Sequence, residues 1–492
     1  MSHLPPAARL GASLWLSIGL SACAFAPRGE PPAPKVAPSY AAETAPASTV
    51  AADGVAQRLS PGAAAPPDWW RRYGSDTLDA WVEEALRNNP SLIALGHTRE
   101  ALHQQFRAEV GETLLPSIDA GGQVSRQRAV GLPNIGPPTN LYDVFAGELT
   151  LSYTFDLFGA VRYGVREAAA QLDQQTWQLE AARRALAANV VIAAIDAAAL
   201  NDSLTTNERL AALLQQQADL TEKAYRTGAA ASDDVLAARQ SAAALDVSIA
   251  SQRAQALRAR HALAVLMGRT PDRAPPALAL SALQLPADVP ISLPSELLRQ
   301  RPDIRTAEAA VHASAAQVGV ATAEMFPQIT LSAAFGSATL HSATLFTPQT
   351  RIWSAGAMLT QPIFHGRALV AQRRAAIEQY QASVSQYRQT VLNAFQNVAD
   401  TLTALTQDAP GLQAAQLAAA AAERSFTDTH SRYLLGAVSY PATLASEQRW
   451  HSAALTEIQL RAARLTDTAA LFQAMGEPPT GAAPPAPPDR QD

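Results

Sequence analysis

Few side chains in this sequence have the types and spacing that a reaction needs. The nine histidines are scattered along the chain. None stands in the His-Glu-x-x-His arrangement or another spacing that binds zinc. No glycine-rich phosphate loop and no nucleophile elbow occurs in the sequence. The sequence therefore predicts a protein that is not an enzyme and that uses no metal or dissociable cofactor.

The one cysteine, Cys23, offers a different chemistry. It follows a basic start and an apolar run from Leu10 to Leu20, which together indicate a signal peptide over 1–22. The letters LSAC that end at the cysteine resemble the bacterial lipobox, in which the thiol receives a diacylglycerol. A signal peptide that merely contains a cysteine is the alternative. Ala24, where an aspartate would retain such a lipoprotein, predicts delivery to the outer membrane.

The rest of the composition excludes other classes of protein. A net charge of -5 gives no support to nucleic-acid binding. After the signal peptide, no segment offers about 18 uncharged apolar residues, because the best candidate, 185–200, contains Asp196. If the mature chain spans a membrane, we expect it to do so with strands.

Proline and alanine dominate both ends of the mature chain. The segment 23–67 is predicted to be a lipidated, extended tether, and 476–492 a disordered tail. Between them lies an internal duplication, with a first repeat over 68–267, an inter-repeat segment over 268–295 and a second repeat over 296–475.

Glycines mark equivalent places in the two repeats. Gly159 and Gly366 each end an alternating stretch and open a long helical pattern. The distance from each to the Met-Gly pair that closes its repeat is nearly equal: 268 − 159 = 109 and 476 − 366 = 110. Equal spacing over a hundred residues supports a true duplication.

Each repeat contains two candidate strands, near 117–126 and 145–155 in the first, and around Ile329 and near 351–363 in the second. Residues 145–155 alternate apolar and polar side chains, as either a half-buried soluble strand or a barrel strand does. A strand that crosses a membrane needs about 9–11 residues, a length these candidates reach.

The helical patterns are long. In 165–227 there is neither proline nor internal glycine, and a helix of that length would extend about 95 Å. Leu172, Leu179, Leu186, Ala193 and Leu200 recur every seven residues, and in the second repeat Ile377 begins a seam with coiled-coil spacing. Pro410-Gly411 predicts a kink or a break there. A long soluble bundle without a pore is the alternative.

Four strands cannot close a barrel, and open sheet edges in a membrane would cost several kcal/mol for each unpaired amide. The chain must therefore form oligomers. Two copies would supply eight strands and an interior filled by side chains, whereas three would supply twelve and leave room for water. In that arrangement the polar face, with Glu148, Thr150, Thr154 and Asp156, would line the lumen.

The chain resembles the TolC-like outer-membrane efflux factors of the lipidated OprM/NodT type over about 68–476. The resemblance rests on ordered stretches in the duplicated frame: DWWRRYGSDTLDAWVEEALRNNPSL, SYTFDLFG, YRTGAAASDDVLAARQ, LRQRPDIRTAEA, FPQITL and RYLLGAVSYPATLASEQ. It implies an α+β membrane protein with a long helical coiled-coil barrel and a transmembrane β-barrel, twelve-stranded in a homotrimer. It also implies an equatorial mixed domain, a periplasmic adaptor and an inner-membrane pump of the resistance-nodulation-division class.

The resemblance also suggests a gate. Gly228 and Gly436 would form the periplasmic tip turns. The acidic residue that ties neighbouring helices in the family corresponds to Asp234, with Asp233 beside it, and the family tyrosine corresponds to Tyr433. Val438 stands where the family has an arginine, which leaves Arg432 or another tip cation as a substitute. Glu447 is the nearest candidate for an acidic entrance ring, although a solvated helix residue is the simpler interpretation.

Two functions from different classes follow. One is a passive outer-membrane export duct of a tripartite efflux system, and the other is a lipid-anchored periplasmic structural coiled-coil protein. Detergent dependence and heat-labile trimers on a gel separate them, because only the duct predicts both.

Overall fold

The computed structural model describes residues 26–27, 29, 39–40, 46–63, 65–130 and 139–476 of the chain. The predicted signal peptide, Cys23 and most of the predicted tail lie outside the described residues. The chain forms two compact units. Among the described residues, the first contains 26–27, 29, 99–130, 139–175 and 306–388, and the second contains 39–40, 46–63, 65–98, 176–305 and 389–476.

The first unit contains a four-stranded antiparallel sheet. Its strands are β2 (Ser117–Val130), β3 (Thr139–Phe155), β5 (Gln328–Thr339) and β6 (Arg351–Thr360), in the order β2-β3-β5-β6. All four candidate strands are therefore confirmed as strands, and β2 and β3 are longer than the sequence indicated. Each hairpin follows a helix that ends shortly before a proline: α2 (Pro90–Leu114) precedes β2, and α6 (Pro302–Ala323) precedes β5.

The second unit is built around two helical hairpins, although their first helices begin in the first unit. These hairpins are α3 (Ala160–Arg226) with α4 (Ser232–Leu266), and α7 (Ala368–Leu434) with α8 (Tyr440–Met475). Helices α3 and α7 both have 67 residues, while α4 and α8 have 35 and 36. The two hairpins thus have the matching lengths that the glycine spacing predicted.

Smaller elements complete the second unit. Strand β1 (Arg58–Pro61) pairs in parallel with β4 (Asp288–Ile291) of the inter-repeat segment. The remaining helices are α1 (Asp76–Asn88) and α5 (Pro294–Gln300). Short 3-10 turns occur over 69–73, 271–273 and 280–282.

The Met-Gly pair that closes each repeat packs against the start of a repeat. Gly268 and Gly476 both have positive φ, +76° and +70°. A Cβ on Gly268 would lie 2.5 Å from the carbonyl oxygen of Asn88, and one on Gly476 would lie 3.1 Å from the carbonyl carbon of Gln300. Only glycine fits both the backbone conformation and this approach, which explains why both repeats end in the same residue.

The structure differs from the predicted tether. Within 23–67, residues 46–61 are folded: Leu59 is buried in β1, and Gln57 is fully buried. The cause is the buried guanidinium of Arg464 on α8, which donates to the carbonyl oxygens of Ala52 and Val55 at 2.9 and 3.1 Å. Composition alone gave no sign of this long-range contact.

Of the two alternatives predicted at Pro410, a kink or a break, the break is wrong, because α7 is one uninterrupted helix through that residue. Leu405, Ala409 and Leu412 beside it are fully buried or nearly so. Packing on both sides of the proline therefore outweighs the local preference against helix.

The two predicted coiled-coil seams, one in α3 and one in α7, differ in how many of their residues are buried. In α7, Val384, Tyr387, Val391, Val398, Leu402 and Leu405 are buried, as the spacing indicates. In α3 only Leu186 of the heptad positions is buried, and the core runs instead through alanine, valine and isoleucine residues between Ala187 and Ala198. One window of α3 is long and apolar enough to cross a membrane by composition, but half of it is buried within the chain, as in a core helix.

Candidate channel surfaces

From Ile118 to Val124 and across the strands paired with it, the four-stranded sheet has one apolar and one polar face. Beyond Val124 the apolar face is interrupted by Arg126, which pairs with Asp143 at 3.7 Å. Directly paired residues share a face, so the register places Leu149 beside Phe335 and Phe335 beside Trp353. On the opposite face, Thr150 lies beside Asp119 and Ala334. The apolar face carries Ile118, Val124, Leu149, Leu151, Tyr153, Phe155, Ile329, Leu331, Phe335, Trp353 and Leu359.

The apolar face is exposed in a single chain. Trp353 exposes 77% of its surface, and Leu149, Phe335 and Leu359 are exposed as well. Within the described part of the chain, the outer strands β2 and β6 each pair with one neighbour, and the other edge of each has no backbone partner there. Such a sheet needs an apolar surrounding for its face and further strands for its edges.

The first strand-to-helix switch is organised by Asp156. Its carboxylate oxygens accept hydrogen bonds from the backbone N–H groups of Val161 and Arg162, at 3.2 and 3.0 Å, and from Nε of Arg162 at 3.0 Å. These are the first N–H groups of α3, which have no partner within the helix. Gly159, with φ of +87°, makes the turn, and Phe158 stacks on Phe326 at 5.0 Å.

This geometry corrects the lumen assignment of Asp156. Strand β3 ends at Phe155, and Asp156 lies beyond it as a helix cap. At the second switch Gly366 has φ of +57°, and Arg367 follows with φ of +66°, an unusual value for a side chain with Cβ. The sequence identified both glycines as switches, but Asp156 has no counterpart of the same type before Gly366.

The two tip turns have the same hydrogen bonds. Gly228 N–H donates to Tyr225 at 2.9 Å and Gly436 N–H donates to Tyr433 at 2.8 Å, both to carbonyl oxygens. Both glycines have positive φ, +77° and +75°. In each turn the next N–H reaches the carbonyl oxygen five residues back, which is a Schellman-type ending.

The residues predicted for the gate all lie at these turns. Asp234 accepts a hydrogen bond from the N–H of Ala231 at 3.2 Å, so within one chain it caps α4. Asp233 lies beside it in the first turn. The ring of Tyr433 meets Tyr440 edge-on at 5.2 Å. Arg432 occupies the last turn of α7. The structure describes a single chain and brings none of these carboxylates into an ion pair with Arg432.

Glu447 is not the solvated helix residue that the sequence suggests. It is buried, and burial raises the pKa of its carboxyl group, while His430 lowers it. His451, one turn further along α8, is also buried, and burial lowers the pKa of its imidazole. The sequence missed this cluster because glutamate on a long helix is usually solvated.

A second buried polar cluster joins α7, α8 and the folded segment before the first repeat. Arg464 donates to Gln57 and Thr49 side chains as well as to two carbonyl oxygens. Beside it, burial and the neighbouring carboxyl group of Asp467 raise the pKa of Asp408 to about 7. Among the described residues, no group of three or more histidine, cysteine, aspartate or glutamate side chains is arranged to hold a metal ion.

Comparisons with known proteins agree with this geometry. The family model described as outer membrane efflux protein matches residues 81–269 and 293–477. The chain is 30% identical over 439 residues to outer membrane protein OprJ of Pseudomonas aeruginosa, covering 86% of this chain and 88% of that protein. It is 29% identical over 431 residues to pyoverdine export outer membrane protein OpmQ of the same species, with coverages of 83% and 86%.

Solved structures have the same fold. A membrane protein from Pseudomonas aeruginosa superposes with a TM-score of 0.80 at 26% identity, covering 92% of this chain and 100% of that one. The open state of the MtrE outer membrane channel of Neisseria gonorrhoeae gives a TM-score of 0.73 at 27% identity, covering 91% and 98%.

Proposed function

Because this chain belongs to the outer membrane efflux protein family, we propose that three copies of it form a passive duct across the outer membrane. The observation that carries the proposal is the amphipathic sheet with two open edges. Each chain supplies four such strands, so three copies supply 4 × 3 = 12. A twelve-stranded ring turns the apolar face to lipid and the polar face, with Glu148 and Thr150, to a water-filled lumen.

The duct does no chemistry and needs no energy source of its own. Substrates reach it from a periplasmic adaptor and a proton-driven inner-membrane pump of the resistance-nodulation-division class. Named relatives support a role in such systems, among them the antibiotic efflux pump outer membrane protein ArpC of Pseudomonas putida, 28% identical over 445 residues. Selection of the cargo then belongs to the pump.

The mature chain begins at Cys23 and carries a covalent lipid there. After cleavage of 1–22, the diacylglycerol holds the N-terminus in the outer membrane and assists targeting. Metabolic labelling with a radioactive fatty acid tests this: label enters the wild-type protein but not Cys23→Ala, and equal labelling of both would contradict it.

The tips close the duct at its periplasmic end. In the assembled trimer, Asp233 and Asp234 face cations or hydroxyl groups of a neighbouring hairpin, with Arg432 and Tyr433 as their partners. Each exposed pair contributes only about 0–1 kcal/mol, so a ring of several pairs is needed to hold the closed state.

Conductance across planar lipid bilayers tests the duct. We expect discrete, weakly conducting channels from the purified protein and larger conductance when tip contacts are removed. Protein heated until it runs as a monomer serves as the control and should give no channels. A folded, trimeric protein that never conducts, even with its tip contacts removed, would contradict the proposal.

A further inference from the structure

The internal duplication specifies how one copy meets the next, given that the proposed ring forms. The two hairpins of the sheet are equivalent. Ile118 and Ile329 each stand two residues after the proline that precedes their strand, and 329 − 118 = 211. Within the hairpins, Ile118 pairs with Leu151 and Ile329 pairs with Leu359. The returning strands are therefore related by 359 − 151 = 208. The switch glycines are related by 366 − 159 = 207, so the link from strand to switch is one residue shorter in the second repeat.

The chain already contains one junction between hairpins. Strand β3 pairs with β5, with Leu149 opposite Phe335 and Phe155 opposite Ile329. In a closed ring the only other kind of junction joins β6 of one copy to β2 of the next. If the two repeats are equivalent, both junctions have the same register.

We propose that β6 of one copy pairs antiparallel with β2 of the next copy, with Ala357 opposite Val124 and Ile363 opposite Ile118. Adding 208 to Leu149 gives Ala357, and subtracting 211 from Phe335 gives Val124. The same operation carries the Phe155–Ile329 pair to Ile363 and Ile118. The partner that this surface fits is a second copy of this chain.

The faces on which the side chains lie are consistent with this register of β6 against β2. Val124 and Ala357 both lie on the apolar face by the registers within each hairpin. A register shifted by one residue would set apolar side chains of one copy against polar side chains of the next. Equivalent repeats in one ring must turn equivalent residues to the same side, and the proposed register meets this requirement.

The exposure of Ile363 and Ile118 and the different lengths of β3 and β6 also support this register. Ile363 and Ile118 expose 89% and 69% of their surfaces. Strand β3 continues to Phe155 because β5 pairs with its last residues, whereas β6 stops at Thr360 in a chain that lacks the next copy. In the ring we expect β6 to extend to residue 363. The register also sets Trp353 opposite Arg128 of the next copy, where the guanidinium can lie over the indole ring.

Disulfide cross-linking of the assembled protein in native membranes tests the register. The sequence has one cysteine, Cys23, whose thiol is consumed by the proposed lipid. The double variant Val124→Cys with Ala357→Cys should form chains linked into trimers that survive boiling in detergent without reductant. Because adjacent antiparallel pairs alternate in spacing, Gln123→Cys with Met358→Cys on the polar face provides a second pair in the same register.

The matched controls shift the register by two residues on the same face. Val124→Cys with Leu359→Cys, and Val124→Cys with Ala355→Cys, place the Cβ atoms about 7–8 Å apart, beyond the reach of a disulfide. Each single-cysteine variant should remain unlinked.

The outcomes separate the register from the ring. Linking of either proposed pair but not of the shifted pairs supports the proposal. Linking of a shifted pair, or no linking in protein that still migrates as a heat-labile trimer, overturns the register and leaves the duct intact. Protein that is monomeric in the unsubstituted state overturns both.

Discussion

The buried guanidinium of Arg464 makes a sharp prediction about the segment before the first repeat. Arg464 is 1% exposed and donates four hydrogen bonds into 49–57. In Arg464→Met, the side chain keeps its length, but two carbonyl oxygens and two side-chain oxygens lose their donor. Leaving a buried oxygen without its donor costs about 1–3 kcal/mol, and the low end of that range for four oxygens gives about 3–5 kcal/mol in total. Opening of the segment restores water to these oxygens, so we expect the opening equilibrium to shift by about that amount.

Trypsin cleavage after Arg58 measures this opening, because β1 must leave β4 before a protease can bind it. A change of about 3–5 kcal/mol corresponds to a cleavage rate about one hundred to a few thousand times higher, as long as reclosing is fast. Arg461→Gln is the matched control. Its ion pair with Asp53, at 2.7 Å, joins the same helix and segment, but Arg461 is 32% exposed. Such a pair contributes about 0–1 kcal/mol, so the rate should rise about fivefold at most.

Equal cleavage rates in the two variants would refute the reasoning, since burial would then make no difference to the value of the contact. An unchanged rate in Arg464→Met would refute it as well, because the segment would be held by something other than this guanidinium.

Four further predictions follow from the same geometry. Asp156→Ala removes the acceptor for two N–H groups of α3 and should destabilise the assembled protein by about 0.5–2 kcal/mol, measured as a lower unfolding temperature. Asp119→Ala in β2 is the control. An equal decrease of the unfolding temperature in both variants would contradict the capping role of Asp156. The pKa of Asp408 is raised from 3.8 to about 7 in the folded chain, so the folded state binds this proton more tightly and its stability falls as pH rises from about 4 to about 7. Asp408→Asn should therefore raise the unfolding temperature at pH 8, and much less at pH 5. A larger increase at pH 5 than at pH 8 would contradict the raised pKa. Leu149→Arg places a charge on the lipid face at a cost of about 2–4 kcal/mol near the bilayer midplane and should reduce the amount of trimer in the outer membrane. Thr150→Arg, one residue along and facing the lumen, should still assemble. Similar trimer yields from the two variants would contradict the assignment of the faces. Asp234→Ala should raise conductance in bilayers by weakening the closed tips, and an unchanged closed-state conductance would remove Asp234 from the gate.

The periodic and duplicated features could be predicted from sequence because they are local and repeated. Alternation over 145–155 specifies a strand with two different faces whatever surrounds it. Gly159 and Gly366 mark the ends of strands because the turn there needs positive φ. The equal hairpin lengths follow from glycine spacing alone.

What the sequence did not predict depends on contacts distant along the chain. Arg464 binds residues more than 400 positions earlier, so the local sequence around Ala52 and Gln57 does not indicate that this segment is folded. Pro410 remains in a helix because its neighbours are buried, and Glu447 is buried by packing between helices. Asp156 fits the alternation of β3 so well that its capping role is visible only in the hydrogen bonds of α3.

The number of copies in the intact particle tests the central claim most directly. Native mass spectrometry of protein extracted from the outer membrane in mild detergent counts them without any substitution. We expect three copies, since four strands from each then close a ring wide enough for water. A monomer would leave the sheet edges open, and a dimer would close eight strands around a filled interior; either result would contradict the duct.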